Sequence, residues 1–122
     1  MSPLVSIYIP THNRPDFLRR ALTSLVGQTY KNFQVLVCDD GSSVDLSEVR
    51  REFEGKFISF KWFRNEKPMG ACASRNKLIE NADGEYITGL DDDDEFHPYR
   101  LQTFLEFRDL DKYSFLCSTF LS

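Results

Sequence analysis

The chain has 122 residues, 41% hydrophobic and 28% charged, with a formal net charge of −4 and an isoelectric point near 5.1. A chain of this size suits one domain that buries about two thirds of its unfolded surface, and the balanced composition argues against disorder and low complexity. The acidic balance offers no basic field for nucleic acid, which is held by neutralising its phosphates, and no apolar run approaches the roughly 20 residues that span a bilayer.

Residues 4–9 are apolar and β-branched and read as a first strand, expected to stop at Pro10, where a backbone donor is lost. A loop over 11–14 follows. Pro15 suits the first turn of a helix, and Phe17, Leu18, Ala21, Leu22, Leu25 and Val26 recur on one helical face until Gly27. A second strand over 33–38 ends in Asp39-Asp40-Gly41-Ser42, residue types that favour a turn. The spacing of Leu46, Val49 and Phe53 predicts a helix over 45–53, and alternation predicts a third strand over 57–63. Another helix should open near Gly70 and run through Ala82, a fourth strand covers 85–90, and His97-Pro98 opens a helix with Leu101, Phe104, Leu105 and Arg108 on one side. The segment 113–122 reads as a strand that the chain enters without leaving, as expected of a fragment. Cys38, Cys72 and Cys117 lie far apart and lack a Cys-x-x-Cys pair. All three read as small buried hydrophobes in a reducing cytoplasm.

Alternating strands and helices of this length imply an α/β domain spanning 1–122, with a mostly parallel sheet, helices on both faces and right-handed crossovers. In such sheets ligands sit at the carboxyl ends of the strands. The segments 10–14, 39–42 and 91–95 each follow a strand and should converge there.

The last of these, Asp91-Asp92-Asp93-Asp94-Glu95, is acidic throughout. Carboxylates this close repel by roughly 3 to 4 kcal/mol per neighbouring pair at 4 to 5 Å in an effective dielectric near 20. A compensating cation is expected, and a divalent metal is the simplest. Mg²⁺ and Mn²⁺ take oxygen ligands, and Mg²⁺ borrows several of them from substrate phosphates, so one or two aspartates suffice. In an Asp-x-Asp, Asp91 and Asp93 can point to one side. A solvated surface loop is the competing reading of the same run. Asp40 sits at a strand end where it could accept hydrogen bonds from a base or ribose. Arg14 is expected to pair with a phosphate or with Asp16, and Arg75 to add a second positive group. With only His12 and His97 present, a histidine-based zinc site is not expected. Neither a Gly-x-x-x-x-Gly-Lys-Ser/Thr loop nor a Gly-x-Gly-x-x-Gly turn occurs.

Val5-Ser6-Ile7-Tyr8-Ile9-Pro10-Thr11-His12-Asn13-Arg14, the run from Leu25 to Phe33, Asp39-Asp40-Gly41-Ser42, Gly70 with Ala73-Ser74-Arg75-Asn76, and Gly84-Glu85-Tyr86-Ile87 with Leu90-Asp91-Asp92-Asp93-Asp94 follow one another in order. Together they resemble the nucleotide-binding half of family 2 inverting glycosyltransferases. The resemblance implies a Rossmann-like GT-A fold and a nucleotide-diphosphate sugar donor, commonly a UDP-sugar, bound with Mn²⁺ or Mg²⁺. It implies that Pro10, Thr11 and His12 line the base pocket, that Asp40 binds the base and that Arg14 and Arg75 lie by the nucleotide. Asp91 and Asp92 would then approach ribose or sugar, and Asp93 the metal. His12 stands where the family usually has tyrosine. The resemblance assigns no catalytic residue here, because the family's general base lies beyond Ser122. It implies a saccharide or lipid-linked acceptor, bacterial polysaccharide or glycolipid synthesis, and a cytoplasmic location, peripheral at the inner membrane face in the full-length protein. A sugar nucleotidyltransferase and a non-catalytic metal- or nucleotide-binding domain are the alternatives. An edge strand exposed from Tyr113 onward would allow self-association.

Overall fold

A computed structural model describes residues 3–106. The elements are β1 (Val5–Thr11), α1 (Pro15–Val26), β2 (Phe33–Asp40), α2 (Ser47–Phe53), β3 (Ser59–Asn65), α3 (Ala71–Glu80), β4 (Tyr86–Gly89) and α4 (Arg100–Glu106). The four strands are all parallel, in the order β3-β2-β1-β4. The strand expected over 113–122, Cys117 and Arg108 lie outside the described residues, as does the edge from Tyr113.

The first two crossovers step the same way along the sheet, and the third steps back past β1. A right-handed crossover that reverses direction must change face. Accordingly α1, α2 and α4 pack with Val5, Ile7, Ile9, Phe33, Val35 and Val37 in one core. On the opposite face Leu78 of α3 and Ala82 meet Leu36, Cys38 and Tyr8. Cys38 is buried as expected, and burial pushes its thiol pKa up, whereas Cys72 in the first turn of α3 is exposed. A cysteine flanked by alanines carries no sequence signal for which helical face it takes.

Several boundaries move from the sequence expectation, among them the end of β2, which runs through Asp40 rather than stopping at residue 38. β1 runs through Pro10 to Thr11, with Pro10 opposite Cys38 and Thr11 opposite Asp39 of β2. The carbonyls of Leu4 and Tyr8 accept from Glu85 and Leu90 on the β4 side. Pro10, two residues further, faces that same side beyond the last paired residue of β4, so its missing N–H leaves no ladder bond unmade. β3 begins at Ser59 rather than at residue 57 because Phe57 serves as packing ahead of the strand. Its ring centre lies 5.8 Å from Phe33 and 5.7 Å from Phe60. The last helix starts at Arg100 after a turn in which Arg100 N–H donates to the carbonyl of His97.

The amino ends of the strands are tied by polar groups that strand periodicity hides. Ser6 Oγ donates to Gln34 Oε1 at 2.6 Å and accepts from the Gly84 N–H, while Gln34 Oε1 also accepts from the Asp83 N–H at 2.7 Å. Gln34 is 1% exposed. It locks the turn before β4 to the base of the sheet and thereby aims the other end of β4 at β1. Gln34→Leu leaves Ser6 and the Asp83 N–H without this acceptor, and urea denaturation should show a loss of about 2 kcal/mol.

Candidate functional site

The reversal in strand order opens a crevice where the carboxyl ends of β1 and β4 diverge, the position at which open α/β sheets bind ligands. A cleft of about 370 Å³ lies there, lined by Pro10, Thr11, His12, Arg14, Asp40, Arg75, Asp91, Asp92 and Asp93, with Ala71. All nine residues singled out in the sequence therefore face one cavity, brought from β1, the β1–α1 loop, β2, α3 and the segment after β4.

The β1–α1 loop is held in place by its neighbour after β2. Asn13 adopts φ 54°, a left-handed conformation that asparagine tolerates. Its Oδ1 accepts from the N–H groups of Ser43 and Val44, and its own N–H donates to Ser42 Oγ at 2.8 Å. With Oδ1 so used, Asn13 Nδ2 is turned to His12 Nε2 at 3.1 Å, and His12 Nδ1 lies 2.7 Å from the Asp40 carbonyl. A carbonyl only accepts, so the ring proton sits on Nδ1. Both ring nitrogens are thereby occupied and the ring face is left for contact with a ligand.

Asp40 is more committed than a sequence reading can show. Its Oδ1 accepts from Asn65 Nδ2 and the Met69 N–H, each at 2.8 Å, and its Oδ2 accepts from the Gly70 N–H at 3.0 Å. A carboxylate has about four acceptor sites. Asp40 thus offers one more, on Oδ2. Burial works to raise its pKa, but the bonds from Asn65, Met69 and Gly70, aided by His12, hold the carboxyl below its usual value. Asn65 is itself oriented by Lys77, whose Nζ donates to Asn65 Oδ1 at 2.5 Å, and its Nδ2 also reaches Ser74 Oγ at 3.1 Å. Asn65 and Lys77 had no signal of their own in the sequence.

Part of the charge of the acidic run after β4 is neutralised within the protein. Residues 91–94 form a turn closed by the Asp94 N–H on the Asp91 carbonyl at 3.0 Å. Asp92 is buried and accepts from Thr11 Oγ1 at 2.8 Å. Arg14 Nη1 lies 3.4 Å from both Asp92 Oδ1 and Asp93 Oδ2, so a side chain of the protein supplies part of the compensating charge. Asp16, the alternative partner expected for Arg14, pairs with Arg19 instead. Thr11 is occupied in positioning Asp92. Asp91 and Arg75 are exposed and enter no ion pair among the described residues.

Among the described residues, no three His, Cys, Asp or Glu side chains are grouped to hold a metal by themselves. The exposed carboxylates of Asp91 and Asp93 fit the other arrangement, in which one or two protein oxygens hold a hard cation whose remaining positions go to phosphate and water.

The model of glycosyl transferase family 2 matches residues 6–122. The chain belongs to this family. It is 42% identical over 106 residues to WcaA, named for colanic acid biosynthesis in Escherichia coli (strain K12), covering 85% of this chain and 37% of that one. A Campylobacter jejuni GalNAc(5)-diNAcBac-PP-undecaprenol beta-1,3-glucosyltransferase is 33% identical over 105 residues, covering 85% of this chain and 34% of its own length. The family 2 chain thus spans about a third of the length of these two relatives. Staphylococcus aureus TarS (1-349), solved in complex with UDP-GlcNAc, superposes with a TM-score of 0.81 at 27% identity over 87% of this chain and 31% of TarS. The mannosyltransferase PcManGT of Pyrobaculum calidifontis, solved with GDP-Man and Mn²⁺, shares the fold with a TM-score of 0.79 at 20% identity over 88% of this chain and 33% of its own. The Rossmann-like GT-A fold expected from the motifs is therefore the fold of this family 2 chain. No helix among the described residues is long and apolar enough to cross a membrane.

Proposed function

We propose that the cleft is the donor site of an inverting glycosyltransferase that moves a sugar from a nucleotide diphosphate, with UDP the preferred carrier, to an acceptor hydroxyl. The observation that carries this reading is the meeting of an anchored β1–α1 loop, Asp40 and the acidic turn around one cleft at the strand-order reversal. Pro10 and the face of His12 form the base wall, and the remaining acceptor position of Asp40 takes one N–H of the base. The imide edge of uracil offers one such donor, whereas the guanine edge offers two adjacent ones. Arg14 and Arg75 answer the diphosphate charge, Asp91 and Asp92 face ribose and sugar hydroxyls, and Asp93 holds Mn²⁺ or Mg²⁺. The metal, when bound, neutralises the diphosphate and assists its departure as a Lewis acid.

The relatives support a saccharide or lipid-linked acceptor in bacterial polysaccharide or glycolipid synthesis, and we place the whole protein in the cytoplasm, peripheral at the inner membrane face. We assign the acceptor-binding and general-base roles to no residue of this chain. The family match leaves the sugar nucleotidyltransferase alternative without support.

Calorimetric titration of UDP, GDP, CDP and ADP with and without Mn²⁺ tests the reading. UDP should bind in preference to the others, and Mn²⁺ should tighten it. Asp93→Ala should remove the Mn²⁺ enhancement while leaving metal-free binding in place. Equal binding of all four, or an Mn²⁺ effect that survives Asp93→Ala, contradicts the assignment.

A further inference from the structure

We propose that Arg14 is an internal counter-ion that occupies Asp93 while no donor is present and releases it when a diphosphate arrives, so that metal and donor bind as a coupled pair. This rests on the donor-site reading above and adds to it the order in which charges are exchanged. Arg14 Nη1 contacts Asp92 and Asp93 at 3.4 Å each. Charge-assisted N–H···O bonds usually close to about 2.7–2.9 Å, and the Arg64–Asp39 pair is closer still at 2.6 Å. The Arg14 contacts are loose by comparison. Its side chain is 48% exposed and that of Asp93 54%, so both can change partner without unpacking the core. The backbone cannot drift, because the Asn13 bonds to Ser42, Ser43 and Val44 fix the loop that presents Arg14. The guanidinium also lies 5.8 Å from the centre of the Phe17 ring.

A guanidinium and a divalent cation repel one another and compete for the same carboxylate. Arg14 therefore opposes metal entry in the empty cleft. A diphosphate offers Arg14 oxygens in the planar, two-point geometry that guanidinium prefers. Once Arg14 turns to phosphate, Asp93 is free for the metal. Linkage then requires that donor and metal raise one another's affinity by the same factor.

The test is Mn²⁺ binding by the chain without nucleotide, followed by electron paramagnetic resonance of free Mn²⁺, and again with UDP. Arg14→Gln should bind Mn²⁺ alone about 2- to 5-fold tighter, the range of an exposed ion pair. It should bind UDP more weakly, and the factor by which UDP enhances Mn²⁺ binding should fall. Arg14→Lys keeps the charge and should take up Mn²⁺ alone as the wild type does. Arg20→Gln removes the same charge beside Glu95, 4.0 Å away, and should tighten Mn²⁺ binding less than Arg14→Gln. Unchanged or weaker Mn²⁺ binding by Arg14→Gln, or equal tightening in Arg20→Gln, overturns the inference. If wild type binds Mn²⁺ and UDP cooperatively while Arg14→Gln gains nothing, only this inference fails. If wild type takes up no Mn²⁺ even with UDP, the donor-site reading fails and this inference falls with it.

Discussion

Asp40→Ala should destabilise the chain by about 2–4 kcal/mol, because it strands three donors at once, and should abolish nucleotide binding. The donors are Asn65 Nδ2 and the N–H groups of Met69 and Gly70, which Asp40 gathers from the end of β3 and the segment that leads from it to α3. Asp40→Asn separates the two effects. It keeps one carbonyl oxygen for Asn65 and Met69 but turns an NH₂ toward Gly70 and toward any base N–H. It should lose binding as fully as Asp40→Ala and stability less. The pH dependence has a definite sign. The folded carboxyl is held below its ordinary pKa, so its contribution is complete above the unfolded value of about 3.9. It is lost as pH falls through the depressed folded value. Urea denaturation at neutral pH should show the full gap between wild type and Asp40→Ala, and the gap should narrow at strongly acid pH. A gap that widens on acidification would contradict the role given to these bonds.

Gly41→Ala should cost about 2–4 kcal/mol, from a left-handed backbone together with overpacking, and should weaken nucleotide binding by displacing a segment that does not itself change. Gly41 has φ 63°, and a Cβ there would sit 2.5 Å from Lys67 C and from Pro68 N. These are backbone atoms that no rotamer change can move aside. The neighbouring Met69 and Gly70 amides are the ones that hold Asp40, so the strain passes straight to the cleft. Gly55 provides the control: its φ is 84°, but nothing lies within 4 Å of a Cβ built on it. Gly55→Ala should cost about 1 kcal/mol for conformation alone and leave nucleotide binding intact. Thermal melting of the two variants measures the crowding at Gly41 by difference.

These expectations mark where the sequence was readable. Periodicity located every described strand and helix, because β-branched runs and the Leu18, Ala21, Leu22, Leu25 stripe are local signals. Turn-forming residues after the strands placed eight of the nine cleft residues on one edge of the sheet, and Arg75 was placed by the helix opening near Gly70. The partners of those residues were not legible, since they come from distant chain. Asp40 accepts three of its bonds from residues 25 to 30 positions away. Arg14 reaches carboxylates beyond the nearer Asp16 because the Asn13 turn points it across the crevice rather than along α1. Likewise Gln34 reads as one more residue of an apolar strand until Ser6 and Asp83 are seen to meet on it.

The strand order also bears on the sequence of assembly. β1, β2 and β3 join neighbour to neighbour, whereas β4 must return past them to β1, and the Thr11–Asp92 bond closes a separation of 81 residues. Contacts that span long loops carry the largest closure entropy and form late. The half of the cleft built from the acidic turn should then form after the half built on β1 and β2 and be lost first when β4 detaches, which hydrogen exchange faster in β4 than in β2 would show. A chain stalled at three paired strands would hold Asp40 and the anchored loop in place and still lack the carboxylates that face them.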